Sequence, residues 1–288
     1  MVPVEVKRRY VEEIRATAKI ASDALVDAFA SVPREDFVGP GPWTVLSQPA
    51  PGKMQPQISA ATDPVDLYHD VAVFLDRSKT LTNGNPSTLA PWLDALELVE
   101  GKSVFHLGCG TGYYTAIIAE VVGPSGSVTA AEIEPSLATQ ARKSLARYPQ
   151  VQVVEGDGDV VALGKTDAIL INAGVTHPAG QWLESMSVGG TLVAPITIEV
   201  GVPNAGKGLV LCVSRQTSGY EAHFLPAPVM IYSCTTTRNA EIASSFAQKF
   251  TSGTFASVRS LRREPHLAEP SCWLHFAGFC LSTEAVSR

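Results

Sequence analysis

The residues best suited to bind a ligand form a glycine-rich turn. Gly108, Gly110 and Gly112 follow the apolar segment 103–107 directly and precede an apolar segment with helical spacing. Glycine permits a sharp turn and a close approach of backbone to ligand because it has no Cβ. The first N–H groups of the following helix are free to meet a polar or negatively charged ligand group. We therefore predict a ligand site at this turn.

Polar side chains stand at the ends of the next three strands. Glu132 lies 20 residues after Gly112, where an acid accepts hydrogen bonds from ribose hydroxyls in nucleoside-binding folds. Asp157 ends the third strand, where a carboxylate meets the exocyclic amine of an adenine, and Asn172 ends the fourth. Strand ends of a parallel sheet share one edge, so this order predicts a nucleoside site. The further predicted cofactor contacts are Cys109, Tyr113, Ile133 and Gly158.

Each position has an ordinary alternative, since Gly, Asp and Asn are common in turns at strand ends. The order of the whole set along the chain favours the ligand site. A dinucleotide-binding enzyme places its third glycine one residue later, in the pattern G-x-G-x-x-G. The closer glycine spacing and the Gly-Asp-Gly turn at 156–158 favour S-adenosylmethionine over a nicotinamide dinucleotide.

Strands that alternate with helices predict an α/β fold, a doubly wound Rossmann-like sheet. We expect one N-terminal helix over about 4–31 and an irregular loop over 39–64. The predicted strands are 103–107, 127–133, 151–156, 167–173, 191–197, the hairpin 208–216 with 220–234, and one near 272–279; the predicted helices are 86–98, 113–122, 135–148, one near 182–186, and 239–250. The predicted domains are an N-terminal helix and lid (1–80), a cofactor-binding core (81–235) and a C-terminal extension (236–288).

Composition limits the classes of partner. The 288 residues are 45% hydrophobic and 17% charged, with a net charge of -6, so nucleic acid and anionic membranes are disfavoured as partners. The chain has five cysteines and no C-x-x-C pair, which argues against a disulfide framework or a metal site and favours the reducing cytoplasm. The first residues are charged throughout, so we predict neither a signal peptide nor a membrane anchor.

Several segments together resemble the protein-L-isoaspartate (D-aspartate) O-methyltransferase family. The segments are VPREDF (32–37), YHD (68–70), TNGNPSTLA (82–90), HLGCGTGYYTA (106–116), AAEIEP (130–135), VEGDGD (154–159), DAILINAG (167–174) and SVGGTLVAPI (187–196). The resemblance runs from about Ala28 to about Cys234. It implies the seven-strand sheet of a class I S-adenosylmethionine methyltransferase, and methyl transfer to a carboxylate of an isomerised aspartyl residue. It assigns Gly108, Cys109, Gly110, Glu132 and Asp157 to the cofactor.

The resemblance also places a substrate loop at residues 82–87. Asn83, Gly84 and Asn85 are the candidates there, with the asparagine amides as donors to an acceptor carboxylate; the alternative is a simple turn. Gly84 stands where the family carries a serine near the transferred methyl group. His177, after the fourth strand, is a further candidate for the acceptor pocket, and its alternative is a surface loop histidine. His106 replaces a family acid and is predicted to be a core histidine.

Three functions are compatible with these residues. The first is a carboxyl methyltransferase acting on isoaspartyl residues of proteins or peptides. The second is a methyltransferase with a changed acceptor, a small molecule or a dedicated peptide, and the third is an S-adenosylmethionine-binding protein without catalysis. We assign no catalytic side chain, because a carboxylate acceptor is already ionised at neutral pH and positioning supplies most of the catalysis.

Overall fold

The computed structural model describes residues 2–47, 57–202, 204–233 and 236–286, and the chain divides into two compact units. Unit 1 comprises Met1–Lys102 and Cys109–Gly156, and unit 2 comprises Ser103–Gly108 and Asp157–Arg288. The boundary crosses the predicted glycine turn, so each unit carries part of the predicted ligand residues.

Unit 1 begins with two helices where the sequence predicted one. Helix α1 spans Val4–Ala18 and α2 spans Asp23–Ser31. The single-helix prediction was wrong because Lys19 adopts a left-handed conformation and Ser22 caps α2 by accepting the Leu25 N–H. The carboxylate of Asp94 also accepts the N–H groups of Ala21 and Ser22, which fixes the break.

A small antiparallel sheet replaces part of the predicted irregular loop. Its strands are β1 (Trp43–Ser47), β2 (Gln57–Ala61), β3 (Val71–Asp76) and β4 (Leu81–Thr82), in the order β2-β1-β3-β4. Residues 48–56 of the predicted loop lie outside the described residues. The loop prediction was wrong for the flanking segments because their pairing is set by partners distant in sequence, such as Val45 opposite Val73.

The remaining elements of unit 1 follow the prediction closely. They are α3 (Pro86–Asp94), α4 (Tyr113–Val122), β6 (Ser127–Glu132), α5 (Pro135–Ser144) and β7 (Val151–Glu155), with β5 (Ser103–Leu107) belonging to unit 2. β6 and β7 pair in parallel, with Glu132 beside Glu155. The helices α3 and α5 end earlier than predicted, and their starts at Pro86 and Pro135 agree with proline at the first helical position.

A buried arginine joins the N-terminal segments of unit 1. Arg34 is 1% exposed and donates to the carbonyl oxygens of Leu67, His69 (2.8 Å) and Val71 (2.8 Å). Its guanidinium also lies over the ring of Tyr113, 5.4 Å from the centroid. No carboxylate forms an ion pair with Arg34 within the described ranges, so backbone carbonyls and aromatic faces replace the hydration that burial removes.

Unit 2 is built on eight strands in the order β13-β14-β12-β11-β10-β9-β8-β5. They are β5, β8 (Thr166–Ile171), β9 (Met186–Glu199), β10 (Ala205–Gln216), β11 (Gly219–Tyr232), β12 (Ser260–Arg262), β13 (Cys272–Phe276) and β14 (Phe279–Ser282). β5, β8 and β9 are parallel neighbours, and the strands from β9 onward pair antiparallel. The predicted hairpin is confirmed as β10–β11.

The helices of unit 2 are α6 (Gly180–Ser185) and α7 (Ala240–Ser252), near the predicted positions. Where one strand was predicted near 272–279, the structure has the hairpin β13–β14, because the turn at Ala277-Gly278 reverses the chain and Gly278 adopts a φ of +74°. Trp273 fixes this hairpin to the unit: its ring lies 5.5 Å from that of Phe224 and 6.2 Å from that of Phe246.

Within the described residues, no helix combines the length and apolar character that crossing a bilayer requires.

We expect Arg34→Met to lower the free energy of unfolding by about 3 kcal/mol, because three carbonyl groups, two of them in buried hydrogen bonds, lose a charged donor while the apolar stem is retained. Urea unfolding followed by fluorescence measures this change. Arg8→Met is the matched control, since Arg8 is exposed and its nearest carboxylate, that of Glu12, lies 3.9 Å away. Equal stabilities of the two variants would show that Arg34 does not hold these segments.

Candidate active site

The three glycines of the turn are needed for different reasons. All three have positive φ angles, +74° for Gly108, +58° for Gly110 and +97° for Gly112. A Cβ on Gly108 would lie 2.9 Å from the Asn172 carbonyl oxygen in unit 2, and one on Gly112 would lie 2.7 Å from Leu145 in unit 1. Protein packing therefore requires glycine at positions 108 and 112.

Gly110 is the least crowded of the three glycines. A Cβ there would have its nearest neighbour, Leu75, at 3.8 Å, which is ordinary contact distance. The N–H of Gly110 donates to Oε2 of Glu132 at 2.7 Å. Gly110 is thus the position of the turn that protein packing crowds least and that connects directly to the predicted ribose-binding acid.

Glu132 is held by backbone donors at the end of β6. It is 6% exposed, and its second oxygen accepts the N–H of Glu134 at 3.0 Å. Burial raises the pKa of Glu132, and the N–H donors of Glu134 and Gly110 oppose that rise by stabilising the carboxylate. The next residue, Ile133, is apolar and yet 48% exposed, so an apolar surface lies directly beside the acid.

Cys109 and Tyr113 are buried. Burial raises the pKa of the Cys109 thiol far above its usual value, so it stays protonated and is not a nucleophile. The Tyr113 hydroxyl lies 2.9 Å from that of Tyr10, and its ring packs edge-on against Phe37 at 5.8 Å. The side chain of Tyr113 therefore contributes to the core of unit 1, and its contact with a cofactor stays a prediction.

In the loop 82–87, Asn83 continues the pairing of β3 through its side chain. Its backbone N–H donates to the Val73 carbonyl at 2.9 Å, and its Oδ1 accepts the Val73 N–H at 2.8 Å. Its Nδ2 group is buried and has no hydrogen-bond partner among the described residues. A buried amide without a partner is costly, and a ligand that accepts from it would remove that cost.

Gly84 and Asn85 shape the loop. Gly84 has a φ of +79°, and a Cβ there would lie 2.9 Å from Leu89. The Tyr114 hydroxyl donates to the Gly84 carbonyl at 3.0 Å, and Nδ2 of Asn85 donates to the Asp70 carbonyl at 3.1 Å. The Asn85 amide is therefore already engaged, in contrast to that of Asn83.

Asp70 and Ser87 hold the other side of the loop. The Asp70 carboxylate accepts the backbone N–H of Ser87 at 2.9 Å and its hydroxyl at 2.5 Å. The sequence did not predict the hydrogen bonds by which Ser87 and Tyr114 support the loop. Ser87 follows the Asn-Pro start of α3, and Tyr114 begins α4 beside a second tyrosine, so both positions matched ordinary helix starts.

Unit 2 holds the other predicted ligand residues. Oδ1 of Asp157 accepts the Asp159 N–H at 3.0 Å and the Thr236 hydroxyl at 3.1 Å. Nδ2 of Asn172 donates to the Gly108 carbonyl at 3.3 Å. A Cβ on Gly158 would lie 2.4 Å from Leu107, so packing within unit 2 requires this glycine. The roles of Asp157, Gly158 and Asn172 in cofactor binding stay predictions.

The two histidines differ in environment. His106 is completely buried, and burial lowers its pKa to about 3, so the ring is neutral at physiological pH. This agrees with the predicted core histidine. His177 is half-buried, with Nδ1 2.9 Å from the Thr176 hydroxyl and its ring 6.0 Å from that of Phe279. Burial lowers the pKa of His177, and nearby Asp159 opposes that effect.

Comparison with known families decides among the nucleotide-binding classes. A family model described as protein-L-isoaspartate(D-aspartate) O-methyltransferase matches residues 5–203.

The chain belongs to the protein-L-isoaspartate O-methyltransferase family.

Curated relatives agree with this assignment. A protein-L-isoaspartate O-methyltransferase of Methanothrix thermoacetophila is 31% identical over 194 residues, which cover 66% of this chain and 80% of the relative. One from Ignicoccus hospitalis is 29% identical over 201 residues, covering 68% of this chain and 84% of the relative. The predicted S-adenosylmethionine-dependent O-methyltransferase class is thereby confirmed.

Solved structures support the fold. A protein-L-isoaspartate O-methyltransferase aligns with a TM-score of 0.64 at 18% identity, covering 91% of this chain and 74% of the other. A putative family member from Plasmodium falciparum, in complex with S-adenosyl-L-homocysteine, aligns with a TM-score of 0.59 at 17% identity, covering 78% and 96%. The predicted Rossmann-like α/β class is confirmed.

Restoring the family serine at position 84 should not be neutral. We expect Gly84→Ser to lower the free energy of unfolding by about 1–2 kcal/mol, because a non-glycine residue must adopt a left-handed conformation and displace Leu89. Chemical denaturation measures the change. The control is Gly164→Ser, since no atom lies within 4 Å of a Cβ at Gly164 and its φ is not positive. A Gly84→Ser variant as stable as the control would contradict the strained-loop interpretation.

Proposed function

We propose that this chain transfers the methyl group of S-adenosylmethionine to a side-chain or main-chain carboxylate of an isomerised aspartyl residue in a protein or peptide. The family match over residues 5–203 carries this proposal. The hydrogen bond between the Gly110 N–H and the Glu132 carboxylate supports it, because it joins the glycine turn and the ribose-binding acid within unit 1.

S-adenosylmethionine supplies an electrophilic methyl carbon, and its transfer to a carboxylate oxygen breaks the S–C bond with the electron pair remaining on sulfur. Since the acceptor is ionised near neutral pH, no side chain has to remove a proton. The protein has to bind both reactants so that the acceptor oxygen, the methyl carbon and the sulfur lie in line. The proposed reaction therefore needs no general base.

On the cofactor side, Glu132 is the residue proposed to accept hydrogen bonds from the ribose hydroxyls. Its carboxylate is already oriented by two backbone donors, so little side-chain freedom is lost on binding. The exposed side chain of Ile133 is suited to contact an adenine face. Gly110 is proposed to provide the close backbone approach, because it has no side chain and is the least crowded glycine of the turn.

On the acceptor side, Nδ2 of Asn83 is the proposed donor to the acceptor carboxylate. The amide orientation is fixed by the Val73 N–H, which occupies Oδ1, and Nδ2 has no hydrogen-bond partner among the described residues. Asn85 is assigned to loop support, since its amide donates to Asp70. Gly84 remains a predicted residue of the loop, with its carbonyl already accepting from the Tyr114 hydroxyl, and His177 remains a predicted pocket residue. The cytoplasm remains the predicted location, on the cysteine pattern alone.

Radiolabelled methyl transfer to an isoaspartyl peptide tests the function, with the matching aspartyl peptide as the blank. We expect base-labile label only with the isoaspartyl peptide.

Glu132→Gln should raise the Kd for S-adenosylmethionine about tenfold to a hundredfold, because a charge-assisted hydrogen bond contributes about 1.5–3 kcal/mol. Glu155→Gln is the matched control, since Glu155 stands beside Glu132 in the β6–β7 pair.

Normal cofactor binding without methylation of the isoaspartyl peptide would refute the proposed acceptor. Unchanged affinity in Glu132→Gln would refute the ribose role of Glu132 separately.

Asn83→Asp tests the acceptor contact. The substitution keeps an oxygen for the Val73 N–H and replaces the buried Nδ2 donor with a second oxygen. We expect the KM for the isoaspartyl peptide to rise at least about tenfold through charge repulsion and loss of the donor, with the Kd for S-adenosylmethionine unchanged. Asn85→Asp is the comparison variant. Equal peptide KM values for wild type and Asn83→Asp would exclude Asn83 from the acceptor site.

A further inference from the structure

Four metal-ligating side chains come together in unit 2, beyond the region that the family model matches. They are His266, Cys272, His275 and Cys280. One ligand atom from each lies within 4.8 Å of all the others. The sequence predicted no metal site because no C-x-x-C pair occurs, and the pattern here is H-x5-C-x2-H-x4-C.

A register shift brings three of these side chains to one face of the β13–β14 hairpin. Cys272 pairs with Ser282, while Leu274 pairs with Leu281 and His275 with Cys280. In a regular strand, residues three apart point to opposite faces. The extra residue between Cys272 and Leu274 is a bulge that reverses this parity, so Cys272, His275 and Cys280 share a face. Trp273, in the bulge, is buried among the aromatic rings of unit 2.

The fourth side chain comes from the segment before β13. Nδ1 of His266 lies 2.8 Å from the Glu264 carbonyl oxygen, and its Nε2 lies 3.5 Å from Sγ of Cys272. A backbone carbonyl that accepts from one ring nitrogen fixes the tautomer in which the other nitrogen is a free ligand atom. His266 is therefore oriented as metal-ligating histidines are.

Two observations indicate that the cluster is incomplete without a ligand. Nδ1 of His275 is buried and has no hydrogen-bond partner in the described part of the chain. Cys272 and Cys280 are free thiols, although they lie in the same cluster. Tetrahedral coordination with Zn–S near 2.3 Å and Zn–N near 2.0–2.1 Å requires ligand atoms about 3.3–3.8 Å apart. The observed spread needs only a small contraction to reach that geometry.

We propose that His266, Cys272, His275 and Cys280 bind one Zn²⁺ ion in a closed, structural site. Two thiolates and two imidazoles in a tetrahedral arrangement are a typical donor set for zinc. Two thiolates neutralise the charge of the ion, which suits a partly buried position. All four positions are filled by protein, so the ion has no open position for substrate.

The site joins an exposed loop to the hairpin. Residues 263–271 connect β12 to β13 without regular structure, and Leu267 in this loop is 91% exposed. This loop has little apolar contact of its own to hold it in place. Binding of His266 to an ion shared with β13 and β14 would restrain the loop and stabilise the hairpin, whose Phe279 contacts the ring of His177.

Metal analysis of the full-length chain tests this proposal. After removal of metals with a chelator and reconstitution with Zn²⁺, we expect about one zinc ion per chain and a higher Tm than for the metal-free chain. Reconstitution with Co²⁺ should give the d–d absorption of tetrahedral cobalt and a thiolate-to-metal charge-transfer band. Cys272→Ser and His266→Ala should each lower the bound zinc severalfold and remove the Tm gain.

Two control variants separate loss of ligation from loss of fold. Cys212→Ala removes a buried thiol outside the cluster, and His223→Ala removes an exposed histidine of the same unit; both should keep full zinc content. Circular dichroism of His266→Ala checks that its fold is retained. A wild-type chain that binds no zinc or cobalt, or a Cys272–Cys280 disulfide found in the chain isolated under reducing conditions, would overturn the proposal.

Discussion

The reversal of the backbone between β5 and α4 is the constraint on which the candidate site depends. Positive φ angles at Gly108, Gly110 and Gly112 turn the chain from strand into helix over five residues. At Gly108 and Gly112 protein atoms occupy the space of a side chain, whereas at Gly110 the nearest atom, of Leu75, would lie at ordinary contact distance. The same turn aims the Gly110 N–H at Glu132, so the conformation of the backbone also positions the acid.

In the loop at 82–87, most polar groups support the loop itself and one is proposed to bind the methyl acceptor. Three of its polar contacts join it to neighbouring segments: Asn85 donates to the Asp70 carbonyl, Ser87 donates to the Asp70 carboxylate, and Tyr114 donates to the Gly84 carbonyl. These bonds support the loop around Gly84, whose left-handed conformation disfavours a serine at that position. The buried Nδ2 of Asn83 is left over, and an unsatisfied buried donor next to a rigid backbone suits a ligand carboxylate.

The segment after the family match has a different physical basis. Its hairpin is anchored on one side by Trp273 among aromatic rings, which is ordinary apolar packing. On the other side, polar and sulfur-bearing side chains converge with one buried nitrogen unsatisfied. Apolar packing cannot stabilise this cluster of polar side chains, whereas a bound cation would be coordinated by a donor atom from each of the four. The segment after residue 203 and the candidate active site therefore depend on different interactions.

The sequence alone determined the parts of the protein that depend on local pattern. The glycine turn, the strand ending in Glu132 and the alternating helices and strands were predictable from the sequence. Hydrophobic periodicity, the positions of glycine and proline, and the spacing of motifs are all properties of residues that are close in sequence. Tertiary structure alone decided the β1–β4 sheet, whose strands pair with distant partners, and the break at Lys19. It also decided that the Nδ2 group of Asn83, and not that of Asn85, lacks a partner in the described part of the chain, since this depends on which backbone group each amide meets. The convergence of His266, Cys272, His275 and Cys280 depends on a one-residue bulge in β13, and the spacing of residues in the sequence does not reveal such a shift in register.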